Sequence, residues 1–168
     1  HCQITNPRIL KAMKEHDILA YIQPVFVDLD MNTVEPAIGA HRMEGIYAWK
    51  SMLDLGIHAS GGSDAPVDSF DAMENIYFAV TRKNIYGEPK DGWIPSERLS
   101  VDEAVKLFTK DAAYASYTED ENGTIEIGKN ADFVILEKDI YRIDPDEIKT
   151  TKVDMTILGG RTVYERIM

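Results

Sequence analysis

One cysteine, Cys2, is all the thiol this 168-residue chain contains, which excludes an internal disulfide framework. Positive charge is also scarce: 18 Lys and Arg stand against 29 Asp and Glu, a net charge of −11. Phosphate recognition needs a clustered basic face, so nucleic acids and anionic membrane surfaces are not expected partners. No apolar run approaches the roughly 18 residues of a membrane span, and no secretory signal pattern is present. The cytoplasm is the expected compartment. Internal repeats and low-complexity tracts are missing too. What remains, 44% hydrophobic and 28% charged residues, suits a folded domain able to bury one core.

The first half alternates helix and strand patterns. Asn6-Pro7 reads as a helix start, Asn6 as cap and Pro7 in the first turn, with Ile9, Leu10 and Met13 on one face. Ile18 to Ile22 is nearly all apolar, as in a strand buried on both faces of a parallel sheet, and it ends at Gln23-Pro24. A second helix is expected from about Met43 to Leu55, stopping at Gly56 and feeding a strand at Ile57 to Ser60. Right-handed crossovers would set successive strand ends side by side, with His1 where a preceding strand should finish.

The second half changes character. Phe70 to Lys83 has a helical stripe of Met73, Ile76, Tyr77 and Val80, and Asn84 to Pro95, rich in Gly and Pro, reads as a surface excursion. Ser100 and Glu103 form a capping-box pattern that opens a helix expected to reach about Tyr117. From Asn122-Gly123 onward short strands are expected at Thr124 to Ile127, Asp132 to Leu136, Val153 to Leu158 and Arg161 to Glu165, the last two forming a hairpin around Gly159-Gly160. The fold class is therefore α/β with a small appended β-unit.

The most informative segment is Gly61-Gly62-Ser63-Asp64-Ala65-Pro66-Val67. Two glycines free the backbone, a proline forbids continuing the ladder, and Asp64 is offered at the C-terminal edge of a strand. In barrels of alternating strands and helices, and in doubly wound sheets, that edge carries the chemistry. His1, Gln23 and Asp64 fall on three such neighbouring ends.

His1-Cys2-Gln3, Gln23-Pro24, Gly61 to Val67, Ala79-Val80-Thr81-Arg82 and the stretch from Gly123 to Phe133, taken in order, resemble the C-terminal part of the amidohydrolase superfamily, its family 3 branch of N-substituted formamide deformylase-like proteins. The resemblance covers essentially the whole chain. It implies a metal-dependent (β/α)8 TIM barrel with a small β-sandwich, residues 1–118 being the last barrel strands and helices and 119–168 sandwich strands. It implies hydrolysis of an amide, formamide or cyclic amide C–N bond by metal-activated water, with a divalent metal, zinc by preference, as one or two ions in the full-length enzyme. It makes His1 a metal ligand and Asp64 both a ligand and the proton shuttle. The remaining metal ligands would lie upstream, so the chain, which opens on His1 with no strand ahead of it, reads as a fragment needing the rest of its barrel. A homodimer is the family's expectation.

Each residue also has a plainer reading. Asp64 could cap a turn and His1 could be an exposed end. Gln23 and Arg42 are candidate substrate-binding groups for a small molecule, against roles in ending a strand and starting a helix. His58 lies roughly 20 Å along the strand from Asp64, too far to share a metal. Asp28-Leu29-Asp30 lacks the glycine and distal glutamate of a calcium loop, and Cys2 is not expected to be a nucleophile. The alternative to an enzyme is a non-catalytic relative that binds a small molecule or regulates a partner, because fold alone does not establish activity.

Overall fold

The computed structural model describes residues 1–167; Met168, the end of the expected sandwich segment, lies outside them. The first helix, α1 (Pro7–Glu15), begins as its sequence dictates. The Asn6 side chain accepts from the Ile9 amide at 3.0 Å, and Leu10 and Met13 are buried. It leads to β1 (Ala20–Ile22), which pairs in parallel with β2 (Ala59–Gly61) in the register Ala20 to Ala59 and Ile22 to Gly61. The expected burial of β1 on both faces is not found: Ala20 and Ile22 are buried, but Tyr21 is 50% exposed. The sheet holding β1 has only these two strands among the described residues, so one face stays open to water.

Between them run two short helices, α2 (Val27–Asp30) and α3 (Val34–Ile38), and then α4 (Trp49–Asp54). The helix expected from Met43 is thus confined to its second half. The reason is tertiary. Thr5 donates to the Gly45 carbonyl, Ile4 bridges to Ile46 in antiparallel fashion, and the Tyr47 amide donates to the Gln3 carbonyl at 2.9 Å. Gly45 and Tyr47 both take positive φ, 84° and 49°, which ends any helix there. Met43, Ile46 and Tyr47 mimic a helical stripe only because an irregular segment turns the same residues inward.

After the Asp64 turn comes α5 (Ala72–Thr81), capped by Asp71 through the Met73 amide at 2.8 Å. The capping box at Ser100 and Glu103 forms as expected and opens α6 (Val101–Leu107). That helix stops at Phe108, and a separate α7 (Lys110–Ala115) continues. The break seats Phe108 against Gly61: a Cβ built on Gly61 would come 2.6 Å from the Phe108 ring. A continuous helix to Tyr117 is therefore not formed.

The C-terminal unit is an antiparallel sheet of β3 (Phe133–Leu136), β4 (Val153–Leu158) and β5 (Arg161–Glu165), in that order. The hairpin closes through Gly159 and Gly160 at φ 55° and 73°, as a two-residue turn with two left-handed positions requires. Thr124 to Ile127, expected as a strand, forms none. Its apolar and polar residues alternate, but Ile125 and Ile127 face solvent. The Lys129 ammonium donates to the Thr124 hydroxyl and the Asn130 amide to the Glu121 carbonyl, folding the segment back on itself. The core lies in the α/β layer, where Ile22, Trp49, Met52, Tyr77, Phe78 and Leu107 are almost wholly buried. No described helix is long and apolar enough to cross a membrane.

Candidate active site

The ends of β1 and β2 are locked together beyond the last ladder pair, where the Gly62 amide donates to the Ile22 carbonyl at 2.9 Å. The chain after β2 then turns sharply. The Val67 amide donates to the Asp64 carbonyl at 2.8 Å, the Ala65-Pro66 peptide is cis, and Asp64 takes a φ of 57°. Aspartate is among the side chains that tolerate this left-handed geometry best in turns. The Asp64 side chain is exposed, and its carboxylate accepts no hydrogen bond from any described residue. It is a charged group held out from a fixed turn.

After β1 the chain enters a tight 3-10 turn, Pro24–Phe26, in which Pro24 and Val25 are buried. Just before it, the Gln23 amide oxygen lies 2.8 Å from His1 Nδ1. The His1 ring also packs on Phe26, centroids 5.8 Å apart at 37°. The structure therefore unites His1 with Gln23. It joins neither to Asp64 nor to Arg42 by a hydrogen bond among the described residues. Arg42 sits exposed in the turn Ala40–Arg42, on the long connection after β1. No group of three or more His, Cys, Asp and Glu side chains gathers among the described residues. His58 stacks on Tyr114 of α7 at 4.4 Å, at the far end of β2 from Asp64.

Two supporting residues escaped sequence reasoning. Asn75 is 1% exposed on α5, a helix buried almost all round from Asn75 to Thr81. Its Oδ1 accepts from the Val25 amide at 3.1 Å, and its Nδ2 donates to the carbonyls of Asp71 at 3.0 Å and Ser69 at 3.4 Å. One side chain thus ties the turn after Gln23 to the loop that follows Asp64. No local signal marks it, because Asn75 lies on the face opposite the stripe of Met73, Ile76, Tyr77 and Val80; such an amide is tolerated inside because its bonds are made.

The second is Arg82, fully buried at the C-terminal end of α5 with φ 59°. Its guanidinium lies 4.3 Å from the Trp49 ring, 5.3 Å from Trp93 and 5.8 Å from Tyr47. Nε donates to the Trp93 carbonyl at 3.0 Å and Nη1 to the Tyr47 carbonyl at 3.3 Å. Burial pulls its pKa down to about 9, with Glu97 and Tyr47 opposing. It is still a cation at neutral pH, held over π faces. Tyr47 in turn donates to Asp30, which also accepts from Gln3 at 2.8 Å. Burial first, and the Asp30 carboxylate second, push the Tyr47 phenol well above its ordinary range. Asp28 accepts from the Ile85 amide at 2.6 Å. Asp28-Leu29-Asp30, expected as a solvated loop, instead holds two half-buried aspartates that clamp Ile85, Gln3 and Tyr47.

The family model described as the amidohydrolase family matches residues 1–164. The chain belongs to the amidohydrolase family. Among its relatives is YtcJ of Bacillus subtilis (strain 168), named as an amidohydrolase, 34% identical over 99% of this chain and 31% of that protein. The N-substituted formamide deformylase of Arthrobacter pascens is 33% identical over 72% of this chain and 22% of its own length. A metal-dependent hydrolase from Pyrococcus furiosus, known by its crystal structure, superposes with a TM-score of 0.66 at 26% identity, over 78% of this chain and 26% of that one. This amidohydrolase chain spans about a third or less of each of these relatives.

Donor chemistry in this chain fits a divalent ion in part. An imidazole with one nitrogen already engaged and an unpartnered carboxylate are the N and O donors zinc accepts; Asp64 lies on the connection after β2, and His1 is bonded to Gln23 just beyond β1.

Proposed function

We propose that the protein carrying this chain is a metal-dependent amidohydrolase that cleaves a C–N bond, amide, formamide or cyclic amide, in a small-molecule substrate. The observation that carries the reading is the pairing of β1 and β2, whose adjoining C-terminal ends lead to Gln23, bonded to His1, and to the turn presenting Asp64. In this reading residues 1–118 are the last part of a (β/α)8 TIM barrel, and 119–168 belong to a β-sandwich. The parallel β1–β2 pair flanked by helices and the separate antiparallel sheet support it. The rest of the barrel and its other ligands come from outside these residues. The working protein is taken to be cytoplasmic and homodimeric.

A divalent ion bound at such a site, zinc by preference, lowers the pKa of a water molecule toward neutrality. This chain's part is to position and to move protons. His1 offers Nε2 as a ligand nitrogen. Asp64, fixed by its turn and free of competing hydrogen bonds, takes the proton from the attacking water and returns it to the departing nitrogen, a transfer worth roughly 10²–10⁴-fold in rate. The amide nitrogen of Gln23 is free of any described partner and can donate to a substrate carbonyl. Arg42, exposed on its loop, can pair with a substrate anion.

The test is the metal content and amide hydrolysis of the protein that carries this chain, wild type beside Asp64→Ala. Bound divalent metal that falls in the variant, with hydrolysis of an amide and formamide panel reduced by at least about 10²-fold, is the expected result. If reconstitution loads no metal and the two proteins behave alike, hydrolysis gives way to a binding or regulatory role.

A further inference from the structure

We infer that Gln23 is a positioning residue that sets the tautomer and orientation of His1, an inference that rests on the metal-ligand reading of His1 above. The contact runs from His1 Nδ1 to the Gln23 amide oxygen, at 2.8 Å. With the Gln23 amide oxygen as acceptor, the tautomer inferred for His1 carries its hydrogen on Nδ1 and its lone pair on Nε2. A free imidazole prefers the opposite arrangement, so this tautomer needs a reason, and Gln23 supplies it. Imidazole ligands are commonly oriented through their second nitrogen by an outer acceptor.

The seat is built as well as bonded. Gln23 and Phe26, the two residues that touch the His1 ring, bracket a single turn. The two residues between them are buried, and the Val25 amide is fixed by Asn75, itself 1% exposed. Gln23 is half-buried, and its backbone is extended at φ −122° and ψ 94°, carrying the path of β1 one residue past Ile22. An exposed histidine with no task has no use for an acceptor mounted on so rigid a base. The glutamine's position at the strand end follows from the same constraint: Pro24 cannot continue the ladder, so the side chain before it is the last one the strand can aim.

The experiment labels histidine with 15N in the whole protein and reads the tautomer of His1, assigned with His1→Ala, from long-range 1H–15N correlations in the metal-free state. Zinc affinity is then measured with zinc alone against a chromophoric chelator. In wild type His1 should carry its hydrogen on Nδ1. Gln23→Leu should move it to Nε2 and weaken zinc binding by about 10–100-fold, with the thermal midpoint near wild type. Gln23→Glu, which keeps an acceptor in place, should restore both signatures. An Nε2–H tautomer in wild type overturns the inference, and that spectrum decides even if Gln23→Leu fails to fold. So does a Gln23→Leu protein with unchanged tautomer and zinc affinity while His1→Ala loses metal. If His1→Ala binds zinc as wild type does, the metal-ligand reading of His1 fails, and this inference with it.

Discussion

The buried amide of Asn75 shows how a single side chain can carry more structure than its size suggests. Its three bonds reach Val25, Ser69 and Asp71 from a site with no access to water. Truncation to Ala would leave the Val25 N–H without its partner and cut the side-chain ties to the Ser69 and Asp71 carbonyls, and an orphaned buried donor costs about 1–3 kcal/mol. Asn75→Ala should therefore lower the urea midpoint by an amount equivalent to about 1–3 kcal/mol, with an unchanged m-value. An unchanged midpoint would mean that both loops hold their shape unaided. The residue was not legible beforehand: the helix was read from its stripe of Met73, Ile76, Tyr77 and Val80, and Asn75 lies on the opposite face, which a period-based reading assigns to solvent. The turn that presents Asp64 after β2 was legible, because two glycines and a proline around a carboxylate form a local signal. Gln23's bond to His1 was not, since it joins residues 22 apart, and no local pattern encodes it.

Among the elements, the kink between α6 and α7 is the clearest departure from sequence expectation, and it has a partner. Gly61 ends β2 and Phe108 ends α6, with the ring lying where a Cβ would stand. Gly61→Ala should destabilise by about 1–3 kcal/mol through overpacking. Adding Phe108→Leu should recover part of that loss, so a double-mutant cycle should show coupling of about 0.5 kcal/mol or more. Additive effects would refute a direct clash. The same comparison explains which elements were readable. The starts of α1 and α6 were found because Asn6 and Ser100 bond their own first turns, a purely local matter. The end of α6 is set by a strand more than forty residues away in sequence, and the start of α4 by the segment Gln3 to Thr5. The strand expected at Thr124 to Ile127 failed for the complementary reason: alternation was present, but no described strand pairs with it.

Over the whole molecule, alkaline stability should report on the Tyr47 cluster. The phenol's pKa is raised in the fold by burial and by Asp30, so between its ordinary value near pH 10 and the folded value the native state binds more protons than the unfolded chain. Stability from this group is fully present below about pH 10 and is lost as pH rises above it. Absorbance titration near 295 nm should show a last phenolate step, from Tyr47, that is released only on unfolding. Tyr47→Phe should abolish that last step, and a Tyr47 that titrates before unfolding would contradict the burial seen here. The α/β layer and the three-stranded sheet also differ in how completely they are covered. Val134, Leu158, Val163 and Ile127 are all more than half exposed, whereas the interior around Trp49 and Arg82 is closed. The arrangement of Asn75 has a mechanical side as well. Because the turn after β1 and the loop after β2 hang from one amide, they share a single degree of freedom, like two doors on one hinge pin. A ligand that pushes the Asp64 loop outward must tug on the turn holding Gln23, and a substitution in either loop should be felt as a changed aim in the other.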